Sequence, residues 1–495
     1  MIISFMLVRC AKTLGFAWLA FALSATGVIG WLSVSSAQQR ASEPEAAISA
    51  ADREFLDILQ QRTFQFFWET ANPDNGLVPD RWPGREPGAA PSSVAAVGFG
   101  LTAYCVGDER GYITREQAIE RVLATLRFCW EAPQSDNPSA VAGYRGFFYH
   151  FLDMQSGHRR WNCELSSIDT ALLMAGVLAC REYFDRNDGP EREIRSLADS
   201  LYRRVEWNWM QPRAPLICMS WRPEEGFGDH DYRGYNEAML LYLLALGSPT
   251  HPIDASSWDV YTSSYEWADF YGQEHLNFEP LFGHQYSHVW IDFRGIQDRF
   301  MRGKGIDYFE NSRRATYSQR AYASDNPQGC RDYGADVWGL TACDGPVDKV
   351  LPFGREERQF HSYWARGASA VRINDDGTIA PTAAGGSIPF APEIAIPALR
   401  AMRERYGERL FGKYGFLDSF NPSFTFGDVK LTHGQVLDGI GWVDSDYLGI
   451  DQGPILLMSE NHRSALVWEL MKKNPYVKVG LERAGFSGGW LDSGR

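Results

Sequence analysis

G-Y-N-E-A-M-L-L-Y-L-L-A-L-G-S-P-T-H-P, residues 234–252, decides the architecture of this chain. Eight of the nine residues from Ala238 to Leu246 are aliphatic, and only Tyr242 carries a polar atom. A run like this reads as a helix buried on every side. Asn236 is placed to cap its start, Gly247 to end it, and Pro249 prevents continuation. Glu237 then falls in the first turn. A carboxylate there either complements the helix dipole or meets a substrate.

The same grammar recurs outward in both directions. Apolar periodicity predicts helices over 55–70, 92–107, 166–184, 191–207, 286–302, 308–323, 392–405 and 454–471. Thr114-Arg115-Glu116-Gln117 is a capping-box pattern that opens another, running towards Trp130. Short β-prone pieces stand at 146–151 and 378–380. No strand–helix–strand alternation and no G-x-G-x-x-G occurs, which argues against a nucleotide-binding sheet. Helix after helix, joined by long aromatic-rich loops, predicts an all-α fold of paired helices closed into an (α/α)6 toroid. An open layered stack is the alternative.

At the N-terminus, Arg9 and Lys12 precede an apolar run over 14–34, and Ser35-Ser36-Ala37 supplies small residues before Gln38. This predicts a secretory signal over 1–37, a flexible segment over 38–50, and a periplasmic or secreted protein. An uncleaved anchor is the alternative reading of the same run. No linker follows, so 51–495 is expected to be one domain with no stable membrane insertion of its own. A net charge of −14 and a pI near 5.3 argue against nucleic acid and anionic membrane surfaces as partners. Seven cysteines follow the signal, an odd number with no C-x-x-C, which excludes a zinc ribbon and a disulfide scaffold. Cys330 with Cys343 is the pair to examine for a bridge; the others read as buried thiols.

W-N-C-E-L-S-S-I-D-T-A-L-L-M-A-G-V-L, 161–178, is the second acidic segment. Asp169 opens an apolar helix, although Ser166-x-x-Asp169 is itself a capping box. Glu164 lies just outside and has no capping role. Two buried helices that open with carboxylates suggest one shared cavity, and paired carboxylates across a cleft are the minimum apparatus for glycoside hydrolysis. His284, His288 and Asp292 are spaced i, i+4, i+8 on one predicted helical face. They lack the glutamate of H-E-x-x-H and are read as hydrogen-bonding groups, with no metal expected. D-V-W-G-L-T-A-C-D-G-P (336–346) and D-Y-L-G-I-D-Q-G-P (446–454) are glycine-rich loops that carry Trp338, Asp344 and Asp451. Asp307, Glu310, Arg313 and Arg314 read as a structural ion network. Tryptophans and tyrosines in polar loops, Trp161 and Tyr235 among them, suit the apolar faces of sugar rings, or else fill the core.

These segments together resemble one family. F-Q-F-F-W-E-T-A-N-P-D-N-G-L-V-P-D-R, G-Y-R-G-F-F-Y-H-F-L-D-M, Y-N-E-A with S-P-T-H-P, H-Q-Y-S-H-V-W-I-D-F-R-G, W-G-L-T-A-C-D-G-P and D-Q-G-P-I are similar to the bacterial glycoamylase-like proteins. That family is related to glycoside hydrolase family 144, the endo-β-1,2-glucanases, and more distantly to the transglycosylase domain of cyclic β-1,2-glucan synthases. The resemblance implies an (α/α)6 toroid and places the general acid on Glu237. Many relatives have G-G-D-L-V-E-T where this chain has C-E-L-S-S-I-D-T, so the family glutamate falls on Asp169 and the base is left among Asp169, Glu164 and Asp451. Ala342 stands where the transglycosylases carry a nucleophile. The expectation is therefore an exported, endo-acting, inverting β-1,2-glucan hydrolase without metal or organic cofactor. Tyr235, His288, Trp338, Asp344, Asp451, Trp161 and Arg294 would line its subsites. An exo-acting or transglycosylating enzyme and a non-catalytic glucan-binding protein are the alternatives.

Overall fold

The computed structural model describes residues 49–84 and 90–492, and residues from Ser49 onward cluster as one compact unit. The expected signal segment lies outside the described residues. The helices are α1 (Ala50–Thr70), α2 (Val94–Glu109), α3 (Arg115–Glu131), α4 (Ser167–Tyr183), α5 (Gly189–Arg203), α6 (Met239–Gly247) and α7 (Ser256–Thr262). They continue with α8 (Tyr286–Trp290), α9 (Arg299–Lys304), α10 (Tyr308–Asp325), α11 (Pro381–Gly385), α12 (Pro392–Tyr406), α13 (Gly449–Ser464), α14 (Leu466–Lys473) and α15 (Pro475–Arg483). Among the described residues no helix is long and apolar enough to cross a membrane.

Two classes of helix follow from the sequence. Every residue of α6, α8 and α11 is buried, as are Val94–Gly107 of α2 and the long central runs of α4 and α13. In contrast, α3, α5, α10 and α12 bury a single stripe, such as Ile194, Ala198, Leu201 and Tyr202 of α5. The all-buried helices are neighbours: α2 packs on α4, α4 on α6, α6 on α8, α11 on α13, and α13 on both α2 and α8. Gln285, at the start of α8, reaches α11 through a bond from its Nε2 to the Ala383 carbonyl at 2.8 Å. The α2–α4 contact depends on glycine. A Cβ on Gly176 would stand 2.1 Å from the Gly98 carbonyl oxygen, so only hydrogen fits at this crossing.

Strands of two or three residues bring helix starts together. Ser92–Ser93, just before α2, pairs with Phe151–Leu152; Leu165–Ser166, just before α4, pairs with Ser220–Arg222; Tyr447–Leu448, just before α13, pairs with Arg81–Trp82. These ladders fix which loops meet at one end of the buried helices.

Several expectations change. The predicted helix over 286–302 is broken: α8 ends at Trp290, Gly295 takes φ +72°, and α9 begins at Arg299. His284 sits in a 3₁₀ turn and Asp292 follows the end of α8, so the three residues share no helical face. The helix over 454–471 begins earlier, at Gly449, and is divided at Ala465, which has φ +59°. Asn236 does not cap α6. Its Oδ1 accepts from the Ala238 amide, and Ser287 of α8 supplies the cap, accepting from the Leu240 amide and donating to the Glu237 carbonyl. Cys330 and Cys343 are both free and buried. The Cys330 thiol takes a bond from Arg358, and Cys343 lies beside Arg366. In the expected ion network only Arg314–Glu310 pairs directly; Asp307 caps α10 and Arg313 reaches Glu393.

Candidate active site

Glu237 occupies the turn before α6, held by the Ser287 bond to its carbonyl. Burial pushes its carboxyl up to about 7, and the charge of Asp169 adds to the rise; its own amide and the Tyr232 hydroxyl oppose it. An acid protonated near neutral pH is what proton donation to a leaving group needs.

Asp169 lies in the first turn of α4, 4% exposed. The expected capping box is half made. Ser166 Oγ accepts from the Asp169 amide, while the Asp169 carboxylate faces the His150 ring, with Oδ2 3.8 Å from Nε2. His150 Nδ1 lies 2.9 Å from Glu164 Oε1. A histidine with an acceptor at each nitrogen satisfies both only as the imidazolium. Burial alone would lower its pKa, but Asp169, Glu164 and Asp80 outweigh that and raise it to about 9. Glu164 is bound on its other oxygen by Arg222 Nη2 at 2.8 Å. Burial would raise its carboxyl; the bond and charge of His150, with Arg222, bring it down to about 2. Glu164 is thus a fixed anion and a poor proton acceptor.

A second acidic group is built around Arg81. Its Nη1 lies 2.6 Å from Asp344 Oδ2, 3.3 Å from His433 Nδ1 and 3.4 Å from Asp446 Oδ2, and its Nε lies 3.3 Å from Asp80. Asp344, His433, Asp444 and Asp446 bring ligand-type atoms within 4.8 Å of one another, a spacing that could hold a cation. The Arg81 guanidinium already stands among three of them and supplies the counter-charge. Asp418 accepts from the Asp344 amide at 2.8 Å and pairs with Asp451 of the first turn of α13. Burial and Asp344 push Asp418 up to about 7, and burial and Asp418 push Asp451 well above the carboxylate range. Two buried carboxyls in this state share a proton. The two groups have a common neighbour in Tyr286, whose phenol is raised by burial, then by Asp451, Tyr363, Glu237 and Asp418.

The structure therefore brings together Glu237, Asp169, Glu164, Asp344 and Asp451. Trp161 stands beside them, 63% exposed, its ring against Phe151, which stacks on His150. It does not bring the other four. Tyr235 is buried, parallel to Tyr308 and against His284. His288 is wholly buried among Phe293, Phe309 and Phe390, and its Nε2 meets Ser312 Oγ at 3.1 Å. Trp338 fills the second apolar core with Ile379 and Ala383. Arg294 pairs with Asp292 and lies over Trp468, past the far end of α8. Sequence reasoning missed His150, Arg81, Arg222 and Asp418, and took Tyr232 only as one of the loop aromatics. His150 and Arg81 lie inside quoted motifs, but nothing in their local pattern marks them.

Residues 229–475, which include Glu237, Asp418 and Asp451, match the family described as "Glycoamylase: Putative glucoamylase". A Bacteroides uniformis protein of the same description has a crystal structure 32% identical, with TM-score 0.75, covering 90% of this chain and 100% of that one. The endo-β-1,2-glucanase of Chitinophaga pinensis, solved with sophorotriose and glucose, is 29% identical with TM-score 0.75, covering 90% of this chain and 100% of that one. The exo β-1,2-glucooligosaccharide sophorohydrolase of Parabacteroides distasonis is 30% identical over 467 residues, covering 87% of this chain; the chain spans 58% of that relative's length. The 32% identity to the Bacteroides protein, over the whole of that chain, means that this chain belongs to the glycoamylase-like family.

Proposed function

We propose that this protein is an exported glycoside hydrolase that cleaves internal β-1,2-glucosidic bonds with inversion. The observation that carries the reading is Glu237, a carboxyl raised to about 7 beside the Asp169–His150–Glu164 set, with Tyr286 a common neighbour of Glu237 and the second acidic group. Relatives that hydrolyse β-1,2-glucans supply the substrate class. The endo-acting relative is matched over its whole chain and the exo-acting one over little more than half, which favours internal cleavage.

The all-buried helices are taken as the inner ring of an (α/α)6 toroid in the order α2, α4, α6, α8, α11, α13. The pairwise contacts between successive members support that closure. In such a ring α6 and α13 stand opposite, whereas α4 is next to α6. Glu237 is then the acid and Asp451 the base across the cleft, with Asp418 sharing its proton. Glu237 donates its proton to the glycosidic oxygen as the C1–O bond breaks. Water attacks C1 from the other face and gives its proton to the Asp418–Asp451 pair, directly or through a substrate hydroxyl. Asp169 raises Glu237 and accepts from a sugar hydroxyl. Ala342 lies in a strand opposite Ala365 and offers no nucleophile. Incubation with purified β-1,2-glucan tests the reading. A ladder of oligosaccharides is expected; a single disaccharide product would mean exo-action, and no product would overturn it.

A further inference from the structure

Trp161 is the most exposed large apolar side chain among the described residues, at 63%. Its backbone has φ +55°, a left-handed conformation that bulky residues rarely adopt and that persists only where the surroundings enforce it. The enforcement is visible. Arg159 Nε binds the Cys163 carbonyl at 2.7 Å and Arg222 Nε binds the Asn162 carbonyl at 3.2 Å. Each arginine is locked in turn, Arg159 to Glu224 at 2.6 Å and Arg222 to Glu164 at 2.8 Å. Two clamped arginines thus hold an indole out into solvent. Arg160 stands over that ring at 5.8 Å and Phe151 meets it edge-on at 5.7 Å. Phe151 stacks on His150 at 4.0 Å, and His150 contacts Glu164 and Asp169. A continuous ring path therefore runs from the Asp169 and Glu164 carboxylates to an open aromatic face.

We propose that Trp161 is a platform for a glucosyl ring of the substrate chain remote from the bond being cleaved, so that the enzyme favours long glucans over short ones. An indole offers the apolar face that a pyranose needs, and Arg160 offers donors to its hydroxyls. The proposal rests on the glucan-hydrolase reading.

The test compares kcat/KM on polymeric β-1,2-glucan and on sophorotriose for the wild type, Trp161→Ala and Trp161→Phe, with melting temperatures as the folding check. The expected result is a fall of about tenfold in the long-to-short ratio for Ala, with Phe retaining most of it. An unchanged ratio in a folded Ala variant overturns the platform. Affinity electrophoresis in gels containing β-1,2-glucan separates this from failure of the hydrolase reading. A wild type that is retarded but yields no products refutes hydrolysis, and loss of retardation in the Ala variant still supports the platform. A wild type that is not retarded overturns it.

Discussion

Replacing Glu237 by Gln should make the protein slower and more stable at the same time. The carboxyl sits at about 7 in the fold against an ordinary 4.5. Between these values the unfolded chain loses the proton and the folded one keeps it, so folded-state stability declines as pH rises from 4.5 and levels off above 7. At about 1.4 kcal/mol per pH unit, the wild type forfeits ~3 kcal/mol across that window. Gln has the same shape and no proton to lose. The variant should match the wild type at pH 4 and exceed it by up to ~3 kcal/mol at pH 8, measured by urea unfolding at both values. Activity should fall by about 10² to 10⁴, the usual contribution of a general acid. The basic limb of the wild-type pH profile, expected near 7, should vanish. A variant with wild-type turnover, or equal stability of the two proteins at pH 8, would refute the assignment of a raised, catalytic carboxyl.

Asp169→Asn separates chemistry from helix capping. The Ser166 half of the cap survives in the variant, so the stability loss should lie at the low end of the 0.5–2 kcal/mol typical of caps, while activity drops at least tenfold; normal turnover in a merely less stable protein would leave Asp169 with a capping role alone. The His150 ring, held between two carboxylates, should titrate near 9 in a proton–nitrogen NMR experiment, and a midpoint between 6 and 7 would show that the Glu164–His150–Asp169 contact does not form in solution.

Sequence patterning succeeded where burial is continuous. The runs at 94–107, 170–180 and 239–247 are apolar on every side because they lie inside, and each reads directly as an inner helix. It failed where one long apolar pattern conceals a backbone break, as at Gly295 and Ala465, because a positive φ leaves little trace in composition. The cap of α6 was misplaced for a related reason. Asn236 is the local candidate, but Ser287, fifty-one residues later, does the capping. Loop aromatics were the least legible. Trp161 and Trp338 both sit in polar, irregular segments, yet one is largely exposed and the other has no exposed surface. No period distinguishes the two faces of a loop. Glu237, Asp169 and Asp451 were legible because each interrupts the start of an apolar helix. His150 acts through Glu164, 14 residues away, and Arg81 through Asp344 and Asp446, 263 and 365 residues away, so both could be found only by folding the chain.

The most direct measurement is proton NMR of β-1,2-glucan during the first minutes of hydrolysis by the purified protein. Glu237 as acid, an opposed carboxyl pair as base, and Ala342 at the position of a nucleophile predict new reducing ends that appear first as the α-anomer and then equilibrate. First appearance of the β-anomer, or no new reducing ends at all, would contradict the account.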